Sequence, residues 1–319
     1  MLRSASLLVM LSGGLVCFAD VESLSSFAAS PYNLAKYVET HSNFDWEPLW
    51  RALNVDAGIF LPRCDGGFQG VPSCSSEIIM VDPLQLIVIL EQRSSMFEVF
   101  LRYQGDGPGI WHFSGAYAPF VKYFHPEHRF TRLAAKPFLV VTGQGAAGTG
   151  ISSKIESWID LTRGGLDPVL QFTSQAHDEP LPEGIGRSIL GFVVSISSDP
   201  IERITVAFDI KFEAVEGLDN RYFIGERGDR VVYTRDKSGQ FELDEPLSTA
   251  TSEQVEDFYE SFGSDTFDDG EFLEFNLKGL AAIAKGTDSK PRLWLQRFLG
   301  TCPDTLESRQ LRQVMASSR

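Results

Sequence analysis

From Glu77 to Asp244 the chain runs as short strand-like segments, and only turn-length stretches separate most of them. Parallel neighbours need a crossover of a dozen residues or more, so strands joined this closely pair antiparallel with their sequence neighbours. "LQLIVILEQ", "MFEVFLRYQ" and "IWHFSGAYA" follow one another, parted by Ser94-Ser95 and by Gly105-Asp106-Gly107-Pro108-Gly109. "RFTRLAA", "PFLVVTG", "PVLQFTSQA" and "SILGFVVSISSD" continue the series. "RITVAFDIKFEAV" alternates, with Ile204, Val206, Phe208 and Ile210 on one side and Thr205, Ala207, Asp209 and Lys211 on the other, which marks a half-buried strand. "RVVYTRDKSGQFELD" reads as a hairpin turning at Asp236 to Gly239.

The expected fold class is α+β. A large antiparallel β-sheet (a meander, sandwich or open barrel) is flanked by N-terminal and C-terminal helices. A β-propeller-like arrangement is the alternative, though no blade period is visible. At the N-terminal side, Ser30 caps a helix that starts at Pro31 and places Leu34, Tyr37 and Val38 on one face. A second stripe, Trp46, Leu49, Trp50 and Leu53, follows Asp45. On the C-terminal side, Thr251 and Gln254 fit a capping box ahead of Val255, Phe258, Tyr259 and Phe262. Asp268 and Glu271 precede a helix with Phe272, Phe275, Leu280 and Ile283. Asp288 or Ser289 precedes a third, with Leu293, Trp294, Phe298 and Leu299, closed by Gly300. Each stripe needs a partner, and the open face of the sheet supplies one. Beyond Glu307 the tail is polar enough to fray. The chain thus divides into 1–19 (signal), 20–60 (helical), 61–76 (cysteine loop), 77–245 (antiparallel β) and 246–319 (helical).

Arg3, the apolar run Leu7 to Phe18 and Ala19 before Asp20 have the layout of a secretory signal peptide. The run falls short of the roughly 20 apolar residues that span a bilayer. The mature protein is therefore expected to be secreted or periplasmic, without membrane insertion. Of four cysteines, Cys17 leaves with the signal. Cys64 and Cys74 flank "DGGFQGVPS" and are expected to form a disulfide, two free thiols being the alternative. Closing so short a loop contributes about 3 kcal/mol at most. Cys302 is the odd one. A net charge of −15 repels phosphate backbones and anionic headgroups, which excludes nucleic acid and membrane surfaces as partners.

Several short motifs imitate function. Gly143, Gly145 and Gly148 follow an apolar run as in a dinucleotide-binding turn. That motif needs a helix and a second βα unit, and neither follows, so the stretch is a glycine-rich bend and no cofactor is expected. His125 and His128 in "HPEH" are the candidate metal ligands, but Pro126 disfavours the helix that would bring them together. His177-Asp178-Glu179 reads as a polar turn, and Asp265 to Glu274 departs from the calcium-loop pattern. Arg227-Gly228-Asp229 matches an adhesion tripeptide placed at a turn. No nucleophile elbow, Ser-x-x-Lys or papain-like context occurs, so no catalytic residue is nominated and the chain leans away from an enzyme. The sequence thus favours a non-catalytic binding or interaction module for a protein, peptide or glycan. Trp111, Phe113, Tyr117, Phe120, Tyr123 and Phe124 would form the binding surface if exposed together. The alternative is a hydrolase with paired carboxylates in a cleft, which leave no short motif.

Overall fold

The computed structural model describes residues 30–40, 74–92, 97–119, 125–133, 135–148, 150–179, 183–198, 200–217, 220–260 and 269–317. The expected signal segment, the expected helix after Asp45, Cys64, Phe120, Tyr123, Phe124 and Phe262 lie outside these residues.

Among the described residues, twelve strands form two antiparallel sheets, each a meander in which neighbours in sequence are neighbours in space. The first sheet holds β1 (Cys74–Asp82), β2 (Gln85–Gln92), β3 (Phe97–Gly107) and β4 (Ile110–Tyr117). The second, of eight strands, holds β5 (Glu127–Leu133), β6 (Lys136–Gly148), β7 (Ile151–Asp160), β8 (Leu170–Asp178), β9 (Glu183–Ser197), β10 (Arg203–Glu216), β11 (Asn220–Arg235) and β12 (Phe241–Leu243). The fold is α+β as expected. The sheets stack as layers and form neither a closed barrel nor propeller blades.

Strand alternation decides what each face meets. On the first sheet, Leu86, Val88, Leu90, Val99, Leu101 and Tyr103 point to one side and bury Leu34, Ala35 and Val38 of α1 (Pro31–Thr40). Ile87, Ile89 and Phe100 point to the other and pack on Leu139, Val141 and Ile159 of the second sheet. Arg102 fastens this junction, donating to the carbonyls of Leu161 (2.8 Å), Gly165 (3.0 Å) and Arg163. Burial among these carbonyls pushes its pKa down, against the pull of Asp160.

The opposite face of the eight-stranded sheet is the inner one. Phe138, Trp158, Phe172, Ile204, Val206, Phe208, Ile210 and Phe212 line it. The sheet curls so far that Phe241 on β12 donates its backbone N–H to Val169, ahead of β8. The C-terminal chain fills the hollow. Thr251 and Gln254 make the full capping box, but only one α turn, Ser252–Gln254, forms before a wider π turn, Val255–Glu260. That turn aims Phe258 and Tyr259 into the core, where Phe208 and Phe212 meet them at ring-centroid distances of 4.7 and 6.0 Å. Then come α2 (Asp269–Lys285), α3 (Ser289–Thr301) and α4 (Leu306–Ser317).

Two expectations fail here. Residues beyond Glu307 do not fray but form α4. Thr305 and Ser308 cap each other reciprocally, Leu311 is buried, and Arg312 donates to the Leu299 carbonyl at 2.7 Å. In α3, Leu293 is exposed and Leu295 is buried in its place, and the helix runs through Gly300 to Thr301. Among the described residues no helix is long and apolar enough to cross a membrane.

Gly279 marks the closest approach of α2 to β11, because a β-carbon there would fall onto the carbonyl of Ile224. Gly279→Ala should therefore push the helix off the strand and lower stability by about 1–3 kcal/mol. A drop in the urea midpoint at unchanged slope checks this, and an unaltered midpoint contradicts it.

Candidate functional site

The structure redistributes the residues that the sequence singled out. The glycine-rich stretch is a hairpin, as expected, but Gly143 and Gly145 lie inside β6, and the turn is made by Gly150 at φ 79°. Arg227-Gly228-Asp229 is not at a turn. It lies within β11, with Asp229 buried and Arg227 gripping its carboxylate from Nε at 2.8 Å. Thr249 and Tyr259 also donate to that carboxylate, at 2.9 and 2.5 Å. Burial and Asp229 together drive the Tyr259 hydroxyl far above its ordinary pKa, so it stays a donor. An adhesion tripeptide must offer both charges outward, and this one has closed them on each other. His125 is exposed ahead of β5, while His128 turns to Glu98 on β3, 3.2 Å away. Among the described residues no three His, Cys, Asp or Glu side chains converge on a metal position.

The aromatic segment is also not a binding surface in its described part. Trp111 and Phe113 pack in the α1 layer, and Tyr117 lies between the sheets with its hydroxyl 2.9 Å from Ser157 Oγ. Glu91 and Glu98, register partners on β2 and β3, are turned to Ser75 (3.1 Å) and His128. Lys136, Glu202, Arg235 and Asp160 form a closed ionic chain beside the Asp236–Gly239 turn. These carboxylates are turned mainly to partners within the protein.

A different surface remains open. The first sheet covers the outer face of the eight-stranded sheet over β6 and β7 but leaves it bare over β9 to β11. On β9, Arg187, Ile189 and Gly191 face inward, so Ser188, Leu190, Phe192 and Val194 face outward. Leu190, Phe192 and Val194 are 53%, 44% and 47% exposed, and Phe223 on β11 is 52% exposed. A shallow groove of about 710 Å³ runs beside them, lined by Ser188, Leu190, Asp209, Lys211, Glu226 and Gly228.

The register aligns a polar row across this groove: His177 on β8, Ser188 on β9, Lys211 on β10 and Glu226 on β11. His177 Nδ1 is 3.2 Å from Ser188 Oγ, and its Nε2 is 3.1 Å from Glu179 Oε2. Arg221 holds the other carboxylate oxygen of Glu179. Lys211 donates a hydrogen bond to Glu213 at 2.6 Å and lies 5.7 Å from the centroid of Phe223. Asp209 and Glu226 make no ion pair among the described residues. The glycine hairpin also takes part. Gly150 accepts the backbone N–H of Glu179 at 2.7 Å, and a β-carbon on it would strike the Glu179 carbonyl. Glu179 is thus set beside His177 by the stretch that imitates a nucleotide motif.

Sequence reading flagged His177 and Glu179 as a polar turn and passed over Ser188. The alternation of β9 was a usable signal for an outward Ser188, but its partner depends on a strand register that no local pattern states. Comparison with known proteins found no matching family, no matching characterised protein and no matching solved structure.

His128 carries a pH signature. Its hydrogen bond to Glu98 raises the imidazole pKa, helped by the charges of Glu77 and Glu91 and opposed by burial. With the folded value above the unfolded one of about 6.5, the pair's contribution is complete below that pH. It drains away as pH rises through the folded value. Urea titrations from about pH 6 to 8 should show the native protein losing stability relative to His128→Gln. Parallel curves would exclude the coupling.

Proposed function

We propose that the protein is an exported acidic binding module, with the bare outer face of β9 to β11 as its ligand surface, and that it takes a polypeptide partner bearing apolar and basic side chains. One observation carries this reading: Leu190, Phe192 and Val194 project in line with no layer above them among the described residues, while the same face is covered two strands away. Contiguous exposed apolar surface marks interaction sites. Aliphatic side chains and phenylalanine rings favour an apolar polypeptide over a glycan, which needs polar groups beside each ring. Asp209 and Glu226 line the groove, and the chain carries a net charge of −15, so a cationic partner is steered in and anionic polymers are repelled.

A decapeptide alternating Lys and Leu tests the reading by fluorescence anisotropy. It should bind more weakly as salt rises, and its Glu/Leu counterpart should bind about tenfold worse or less. Leu190→Asp combined with Phe192→Asp should weaken the Lys/Leu peptide by about tenfold or more. Equal binding of both peptides, or indifference to the double substitution, sinks the proposal.

Export also supports the Cys64–Cys74 disulfide as a proposal. Cys74 is buried at the head of β1, and Cys302 is buried as well. Denatured mature protein should then release one thiol before reduction, from Cys302, and three after it, when Cys64 and Cys74 join it. Three thiols without reductant exclude the bridge.

A further inference from the structure

We propose that Ser188 is a nucleophile and that the outer face hydrolyses carboxylic esters with an apolar acyl group, an activity that rests on this face being the ligand surface. The argument is the order of groups along the row. His177 lies on one side of Ser188, within hydrogen-bond reach at 3.2 Å, and Glu179 holds the far nitrogen of the same ring at 3.1 Å. A carboxylate accepting from Nε2–H leaves Nδ1 unprotonated and aimed at the serine hydroxyl, which is the tautomer a general base requires. Arg221, on the second oxygen of Glu179, holds that carboxylate in place.

Lys211 is the register partner of Ser188 on the opposite side, about 4.8 Å away across the sheet. Glu213 accepts a hydrogen bond from one of its three ammonium N–H groups. The other two are available to an oxygen that becomes negative above Ser188. Strand β9 spends its N–H groups on its neighbours, so an oxyanion here must be met by a side chain, and Lys211 is the cation in the row. Leu190, two residues along the same face, and Phe223, beside Lys211, give an acyl chain apolar contact.

The chemistry balances without a co-reactant other than water. Ser188 Oγ attacks the ester carbonyl and its proton passes to His177 Nδ1. The tetrahedral oxygen is held by Lys211. The C–O bond to the alcohol breaks, and His177 returns the proton to the departing oxygen, leaving acyl-Ser188. Water then attacks the acyl carbon, gives a proton to His177, and Ser188 Oγ leaves and recovers it. Ester and water become acid and alcohol. Ser188 and His177 act on the reacting atoms, while Glu179 is a positioning residue.

The test uses a fluorophosphonate probe and p-nitrophenyl butyrate on the mature chain. Ser188 should be the serine phosphonylated, seen by peptide mass spectrometry, and Ser188→Ala should remove both labelling and turnover. His177→Ala should lower kcat by about a hundredfold or more. Glu179→Gln should lower kcat by about tenfold with KM unchanged, a split that general loosening of the face would not give. Far-UV circular dichroism confirms folding of each variant, and all four positions are at least partly exposed with Lys211 included, so Lys211→Met serves as a second, independent probe of turnover. Labelling spread over several serines, or turnover unchanged in Ser188→Ala, overturns the activity. The two readings fail separately: Ser188→Ala removes labelling but leaves Lys/Leu peptide binding intact, and Phe192→Asp with Val194→Asp, which spares Leu190 and Phe223, weakens the peptide but leaves fluorophosphonate labelling intact.

Discussion

Arg187 is buried completely beneath the outer face, and the geometry above it depends on what its guanidinium holds. It donates to the carbonyls of Asp257 and Phe258 at 2.8 and 3.0 Å and approaches Asp178 at 3.4 Å. One side chain thus ties β9 to β8 and ties both to the C-terminal turn that fills the hollow. Desolvation pushes its pKa down to about 10, with Asp178 opposing, so it stays charged at neutral pH. A buried cation is tolerated only when its protons are used, and removing one partner of such a pair costs about 3–5 kcal/mol. The carbonyls it binds belong to the π turn, whose widened geometry presents them inward.

The consequence for the outer face follows from strand alternation. Asp178 and Arg187 are register partners on the inner side, and His177 and Ser188 are the adjacent register partners on the outer side. Fixing the inner pair fixes the outer pair, because a slip of one residue would exchange the two sets between core and water. Burial strongly forbids that exchange, since it would bring Ser188 and Leu190 inward and send Arg187 and Ile189 outward. The relay His177–Ser188 therefore needs no packing of its own to be preorganised. Its third member comes from outside the sheet, carried by the Gly150 contact with Glu179.

The sequence made the meander legible because neighbour-to-neighbour pairing needs only turn residues and alternation. Both are local, and Ile204 through Ile210 fell on the expected side. It was less informative where a decision needs a distant partner. Two sheets instead of one follow from where the first sheet docks, and Arg102 with its three carbonyl acceptors is silent in a hydropathy pattern. The last helix was missed because its stripe is thin: Leu311 and a reciprocal Thr305–Ser308 cap hold it, with Arg312 reaching across to α3. The adhesion tripeptide misled for the opposite reason. Gly-Asp favours turns in isolation, yet pairing with β10 along its whole length kept Arg227 to Asp229 in a strand. His177, Glu179 and Ser188 were each visible as residues, but their meeting is a matter of register and of a glycine contact some 29 positions away in sequence (Gly150 to Glu179).

A bare apolar stripe on a sheet face invites self-association, and the way this molecule limits it narrows what the face is for. The edge beside β11 is closed where β12 ends. Asp244 and Thr249 donate backbone N–H groups to Val232 and Arg230, and the Ser248 and Thr249 hydroxyls accept from the N–H groups of the same two residues. Edge pairing is thus blocked along that stretch. Face-to-face stacking is opposed by the net charge of −15, which two copies share with the same sign. That repulsion vanishes for a cationic partner and becomes an attraction near Asp209 and Glu226. On the proposed reading, charge therefore discriminates between partners, and apolar contact along Leu190, Phe192 and Val194 supplies the adhesion. Lys211 sits between these two demands: its ammonium charge keeps the row from being wholly acidic, and on the proposed chemistry this lets an electron-rich oxygen approach Ser188 on a surface that otherwise repels negative charge.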